Sequence, residues 1–294
     1  MAEFWQQVVS GLASGGIYAS LALAIVLIYR STRVINFAQG EMGMFATFIA
    51  WWLIVEQGWP YWGAFAATLA MAFAGGVLLE RVVIRPVENA PVLTVVIVTI
   101  GLLIALNGLA FWIWGGESRS FPSAFSTRPI HIGGVAFSIQ DFGVIGVSLG
   151  AVVLLGLFFR FTKLGLGLRA AALNPNAGRL VGVRVGWMLA LGWGLASVLG
   201  ALSGMMIAPS VFLDPNMMRA VLLYALAAAV LGGLDSPVGA VVGGLMLGVG
   251  LNLIGTYVDF VGNELKLPFA LVLIAAVLLV KPTGLFGRAT VRRV

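Results

Sequence analysis

GLASGGIYASLALAIVLI, residues 11 to 28, carries no charge and only serine, glycine and one tyrosine among its aliphatics. A bilayer core about 30 Å thick needs roughly 20 such residues in a helix. The pattern recurs outward along the chain, at Thr99 to Trp114, Val144 to Phe159 and Leu267 to Val280. Hydrophobic residues make up 61% of the 294, charged residues 10%, and mean hydropathy is +1.05. Nine candidate spans emerge, at about 5–29, 36–56, 61–80, 91–114, 141–159, 187–212, 219–234, 237–258 and 267–280. The expected fold is an all-α polytopic membrane protein, a bundle of about 8–10 transmembrane helices with broken or re-entrant segments. Residues 1–294 read as a single transmembrane domain, because the longest polar stretch, Gly115 to Gln140, is too short for a separate soluble one. The two weakest spans, 219–234 and 237–258, flank a Gly232–Pro237 break. Such a break reads as a hairpin between spans or as a re-entrant turn.

Charge fixes an expected orientation. Thirteen of the seventeen basic residues fall in the loops after alternate spans, and Arg119, Arg128, Arg219 and Lys266 fall opposite. By the positive-inside rule the N-terminus is outside and the C-terminal tail, 281–294, is cytoplasmic. The net charge of +6 therefore reads as orientation and not as a nucleic-acid footprint. Met1 to Gln7 holds Glu3 and no lysine or arginine, so the first helix reads as retained and not as a cleaved signal peptide. Cysteine is absent and His131 is the single histidine, which excludes thiolate chemistry and a histidine metal cluster. The three lysines, Lys163, Lys266 and Lys281, precede Leu or Pro, so no GxxxxGK[ST] phosphate loop exists. No catalytic set, metal site or cofactor is expected.

Glycines lie inside the apolar runs at helical spacing: Gly11, Gly15 and Gly16; Gly192, Gly200 and Gly204; Gly239, Gly243, Gly244 and Gly248. They read as close helix packing in lipid. Trp51, Trp52, Trp59, Tyr61 and Trp62 read as an interfacial belt, and Asn107 and Asn252 as interhelical hydrogen bonds.

Three segments carry more. In Phe161 to Trp187, Leu164, Leu168, Ala171 and Ala172 recur at helical spacing. Asn174-Pro175 then starts a second short helix, which Gly182 ends. The apolar faces of these helices have nothing of their own to bury against. They await a cytoplasmic partner's groove, or else lie on the membrane surface. In Val34 to Glu41, Asn36, Gln39 and Glu41 begin an apolar span. They face a polar interior path, or else Asn36 caps the helix and Glu41 sits near the headgroups. The third segment is the Gly232–Pro237 break, with Asp235 and Ser236. Paired polar breaks point to a translocation path or gate, although no repeat is visible between the halves at the residue level. A stand-alone ion-coupled transporter would have to use Glu41, Glu80 or Asp235 as its ion site.

The run IYRSTRVINFAQGEMGMFATFIAWW (Ile28 to Trp52) resembles the membrane subunits of branched-chain amino-acid ABC importers, the LivH type. The resemblance continues through ERVVIRPVENAP (Glu80 to Pro91), LGLRAAALNPNAGRLVGV (Leu166 to Val183), AVLGGLDSPVGAVVGGLMLG (Ala229 to Gly248) and KPTGLFGR (Lys281 to Arg288). It implies a bacterial inner-membrane permease subunit that is not itself an enzyme. Its implied partners are a second related permease or a second copy, two cytoplasmic ATPase subunits and a periplasmic solute-binding protein. It also implies that residues 161–186 form the ATPase-coupling loop, with Gly167, Arg169, Ala170, Asn174, Ala177 and Gly182 as its docking surface. No acidic residue lies between Leu166 and Val183, where related loops often carry one. Branched-chain or other amino acids are the expected cargo, with urea or amides as the alternative.

Overall fold

The computed structural model describes residues 2–126, 128–132, 135–262 and 264–287. Among these residues eleven α-helices form, in the order α1 (Ala2–Thr32), α2 (Gln39–Trp51), α3 (Tyr61–Leu79), α4 (Val92–Trp114), α5 (Ile139–Phe161), α6 (Lys163–Leu173), α7 (Pro175–Leu180), α8 (Val185–Val211), α9 (Met218–Gly232), α10 (Pro237–Tyr257) and α11 (Lys266–Val280). The one sheet among the described residues is a hairpin of β1 (Pro129–Ile132) and β2 (Val135–Ser138) in the Gly115–Gln140 loop. The chain is thus an all-α polytopic membrane protein. Among the described residues, six helices are long and apolar enough to cross a bilayer. These include α10, read as a weak span from sequence; α9 and α11, with 15 residues each, are shorter.

The cause of this architecture is backbone approach. An apolar helix in lipid gains little from hydrophobic burial, so contact depends on small residues. A methyl group added at Gly11 would lie 2.7 Å from Val249 Cα, and one at Gly15 would lie 3.0 Å from the Gly244 carbonyl oxygen. This glycine seam locks α1 antiparallel to α10, and Gly76 and Gly194 bring α3 and α8 together in the same way. α1 is accordingly the most enclosed of the long helices.

The contacts also contain a repeat that the residues hide. α1 packs on α10 as α8 packs on α3; α9 packs on α1 as α2 packs on α8; α2 packs on α4 as α9 packs on α11. The set α1–α4 thus corresponds to α8–α11. Ser203 of α8 meets Ile17 of α1, while Arg30 at the other end of α1 lines one cavity with Met188 at the start of α8, so these counterparts run antiparallel and the second set is inverted relative to the first. Each set opens with a long helix, then a short irregular segment (33–38 and 212–217), then a shorter helix.

Both irregular segments turn into the protein. Gln39, the first residue of α2, donates from Nε2 to the Ala196 carbonyl at 2.9 Å. Ala196 lies eleven residues into α8, about 16 Å along the helix. α2 therefore begins within the bundle and not at its surface. Opposite, Leu213 is fully buried and pairs backbone to backbone with Arg119 of the long loop. Two π-helical turns, Trp52–Glu56 and Glu80–Ile84, extend α2 and α3.

The expectation on Trp51 changes. Trp51 is buried, with the Arg119 guanidinium 4.5 Å from its ring centre, so it is a core residue; Trp52, Trp59 and Trp62 remain exposed. Asn252 makes the expected interhelical bond, donating to the Gln7 carbonyl of α1 at 3.0 Å, whereas Asn107 donates at 2.7 Å to the Pro215 carbonyl in the irregular segment before α9.

Candidate functional site

Residues 161–186 form a two-helix hairpin projecting from the bundle. At its start Thr162 caps α6, its Oγ1 accepting from Gly165 N at 2.9 Å. A side chain at Gly165 would strike the backbone of Phe158 and Phe159, so this glycine is what lets α6 fold back on α5. Asn174 ends α6, and its Oδ1 accepts from Ala177 N at 3.0 Å to begin α7. Pro175 fills the first position of α7, where a missing N–H costs nothing. Gly182, at φ +82°, reverses the chain into α8 in a backbone conformation that a side chain would strain.

The expectation that these helices lack a surface to bury against is corrected. Leu168 and Ala171 are buried, and α6 packs on α8, α5 and α1. Gly167 and Ala170 are half-buried, and Gly167 faces the Met188 sulfur. The face left open is a different one. Leu166, Leu173, Leu180 and Val181 are 60%, 78%, 89% and 77% exposed, among the exposed Lys163, Arg169, Arg179 and Arg184. Asn174, Ala177 and Gly182 share that exposure. Leu173 escaped the sequence reading because it falls off the stripe that α6 buries.

The hairpin's exit is clamped to α3. Arg85 donates to Glu80 Oε2 at 2.9 Å and to the Gly186 carbonyl at 2.6 Å. The Arg81 guanidinium lies 3.8 Å from the centre of the Trp187 ring. Glu80 is 1% exposed, a buried carboxylate held by one arginine. The spacing hid this pair. Residues five apart diverge on an α-helix but approach on a π-helical turn, where the backbone bonds also run i to i+5.

The polar-break residues fall into two groups. Asn36 and Gln39 are fully buried and joined, Asn36 Nδ2 donating to Gln39 Oε1 at 3.2 Å. Asn36 Oδ1 accepts from Ala38 N, so it shapes the turn before α2 and does not cap the helix itself. Glu41 is 3% exposed, and its Oε2 has no hydrogen-bond partner among the described residues. It faces the protein and not the headgroups, in the neighbourhood of Asn107 and Arg219. The second group sits in the exposed turn before α10. Asp235 pairs with Arg33 at 2.6 Å, and Ser236 caps α10 by accepting from Gly239 N at 3.0 Å. Gln39 and Ser236 thus have structural bonds, and Glu41 is the one of the five with an unpartnered buried atom.

A family model described as the permease component of branched-chain amino acid transport systems matches residues 7–280. The high-affinity branched-chain amino acid transport system permease protein LivH of Escherichia coli K12 is 30% identical, over 99% of this chain and 98% of its own. BraD of Pseudomonas aeruginosa, of the same description, is 32% identical over the same shares. A probable LivH of Methanocaldococcus jannaschii is 27% identical over 91% of this chain and 87% of its own. The chain belongs to this family: it is a multi-pass membrane permease component of a transport system.

Proposed function

We propose that this member of the branched-chain amino-acid permease family forms the membrane path of an ABC importer in a bacterial inner membrane. Its cargo is branched-chain amino acids, as in the names of its relatives, and the whole described chain acts as one permease domain. ATP is hydrolysed on two cytoplasmic partner subunits, a periplasmic binding protein delivers the solute, and a second permease completes the path. The N-terminus is outside and the Arg-rich hairpin is cytoplasmic, a reading that the excess of basic residues on the hairpin's side supports.

The observation that carries this reading is the α6–α7 hairpin. One face is anchored to α1, α5 and α8, and the other offers bare leucines ringed by arginine and lysine to water. A rigidly held, unpartnered apolar surface suits a partner's groove. Movement of α6 is passed on directly, because the hairpin leads into α8 and its exit is clamped to α3 through Arg85. The partner drives the cycle by binding the hairpin's two positions with different affinity. The path or gate draws on Asn36, Gln39, Glu41, Asp235 and Ser236. Asp235 and Glu80, two of the three acids that an ion-coupled transporter would need, are held in ion pairs, which favours the importer.

The test is reconstitution. Removing residues 169–182 should abolish co-purification of the ATPase subunits, while normal assembly would refute the docking role. Uptake of a panel of labelled amino acids, amides and urea by the intact complex should favour leucine, isoleucine and valine. Uphill transport by this chain alone in liposomes would overturn the importer reading.

A further inference from the structure

A cavity of about 320 Å³ lies behind α6, between α1, α5, α8 and α10. Its walls are apolar, with Leu23, Leu155, Leu168 and Val241 among them, and Arg30 and Arg169 stand on its lining at the Arg-rich end of the bundle. The volume is in the range of ligand pockets, which run from about 300 to 1,000 Å³. The slot is open sideways, since Gly156 and Val238 on its lining are exposed. An apolar slot open to a bilayer fills with hydrocarbon, because water finds no polar partners there. Neither arginine makes an ion pair or a side-chain hydrogen bond among the described residues; Asp235, the acid whose charge reaches Arg30, is bonded to Arg33. Two free guanidiniums over a hydrocarbon slot complement one chemistry: acyl chain below, phosphate above.

We propose that this cavity is a binding site for an anionic phospholipid, with an acyl chain between α5 and α10 and the headgroup phosphate held by Arg30 and Arg169. The site is independent of the cargo; its apolar wall on α6, Leu168 and Ala171, faces away from the exposed leucines, and Arg169 stands at the edge between the two faces. A lipid seated there supports α6 from behind.

The experiment is native mass spectrometry of the assembled complex taken from nanodiscs holding equal phosphatidylglycerol and phosphatidylcholine. The wild type should retain phosphatidylglycerol over phosphatidylcholine by roughly tenfold, because both carry the phosphate but only in phosphatidylcholine does a choline cation offset the charge that the two arginines meet. Arg30→Gln should reduce that preference, and Arg30→Gln with Arg169→Gln should abolish it while a neutral lipid is still retained. Gly156→Leu places a bulky side chain at the slot, where an added Cβ meets nothing within 4 Å, and should expel both lipids. An unchanged preference in the double arginine variant would overturn the headgroup assignment. Unchanged retention in Gly156→Leu would overturn the site, and would mean that protein covers the slot.

Discussion

Arg33 reaches Asp235 across 202 positions of sequence, Nη1 to Oδ1 at 2.6 Å, and joins the turn after α1 to the turn before α10. Arg33 holds a positive φ of 59°, unusual for a residue with a side chain, and that conformation aims it at the second break. The two breaks that sequence singles out are therefore tied to each other at one end of the bundle.

Breaking this tie should change function more than stability. Both side chains are substantially exposed, and such pairs contribute about 0–1 kcal/mol. Asp235→Ala should leave the melting temperature within about 2 °C of wild type. ATP hydrolysis uncoupled from uptake should rise in the reconstituted complex, and the exchanged pair Arg33→Asp with Asp235→Arg should restore coupling. Unchanged coupling in Asp235→Ala would remove this pair from the gate.

The clamp at Glu80 behaves oppositely. Arg85→Met strands a carboxylate that is 1% exposed, a loss at the lower end of the about 3–5 kcal/mol for a broken buried pair, because Arg85 itself is part-exposed. Adding Glu80→Gln should recover part of it. Thermal unfolding of the two variants in detergent checks the order; a double variant no more stable than Arg85→Met would contradict it.

The α1–α10 seam should tolerate nothing larger than glycine. A methyl at Gly248 collides with the Gly15 backbone, so Gly248→Ala should cost about 1–3 kcal/mol and lower the yield of folded protein. Gly101→Ala in α4 meets empty space and should be neutral or stabilising by up to about 1 kcal/mol. Equal yields from the two variants would show that the seam is loose.

Docking should fail without unfolding when the hairpin's open face is charged. Leu180 is 89% exposed and Leu173 78%, so Leu173→Asp with Leu180→Asp removes no internal packing. The permease should reach the membrane with an unchanged melting temperature and should pull down no ATPase subunit. Gly165→Val, which unseats α6, should lose both, and so separates a docking defect from a folding one.

Length and polarity along the chain were enough to establish a membrane bundle, the positions of its helices and the hairpin at 161–186. Those features follow from local rules: a span needs about 20 apolar residues, Asn-Pro starts a helix, and glycine at a positive φ ends one. The contacts between helices are set by tertiary structure, because in lipid every apolar helix surface looks alike and only shape selects the partner. Leu168 inward and Leu180 outward are indistinguishable by composition; the close approach at Gly165 seats α6 so that Leu168 is buried, while Leu180, on α7, stays 89% exposed. The inverted correspondence of α1–α4 with α8–α11 leaves no mark at the residue level, since two halves can share a packing pattern without sharing side chains. Glu80 and Arg85 are visible in the sequence as an acid and a base five apart, and only a π-helical turn makes them a pair.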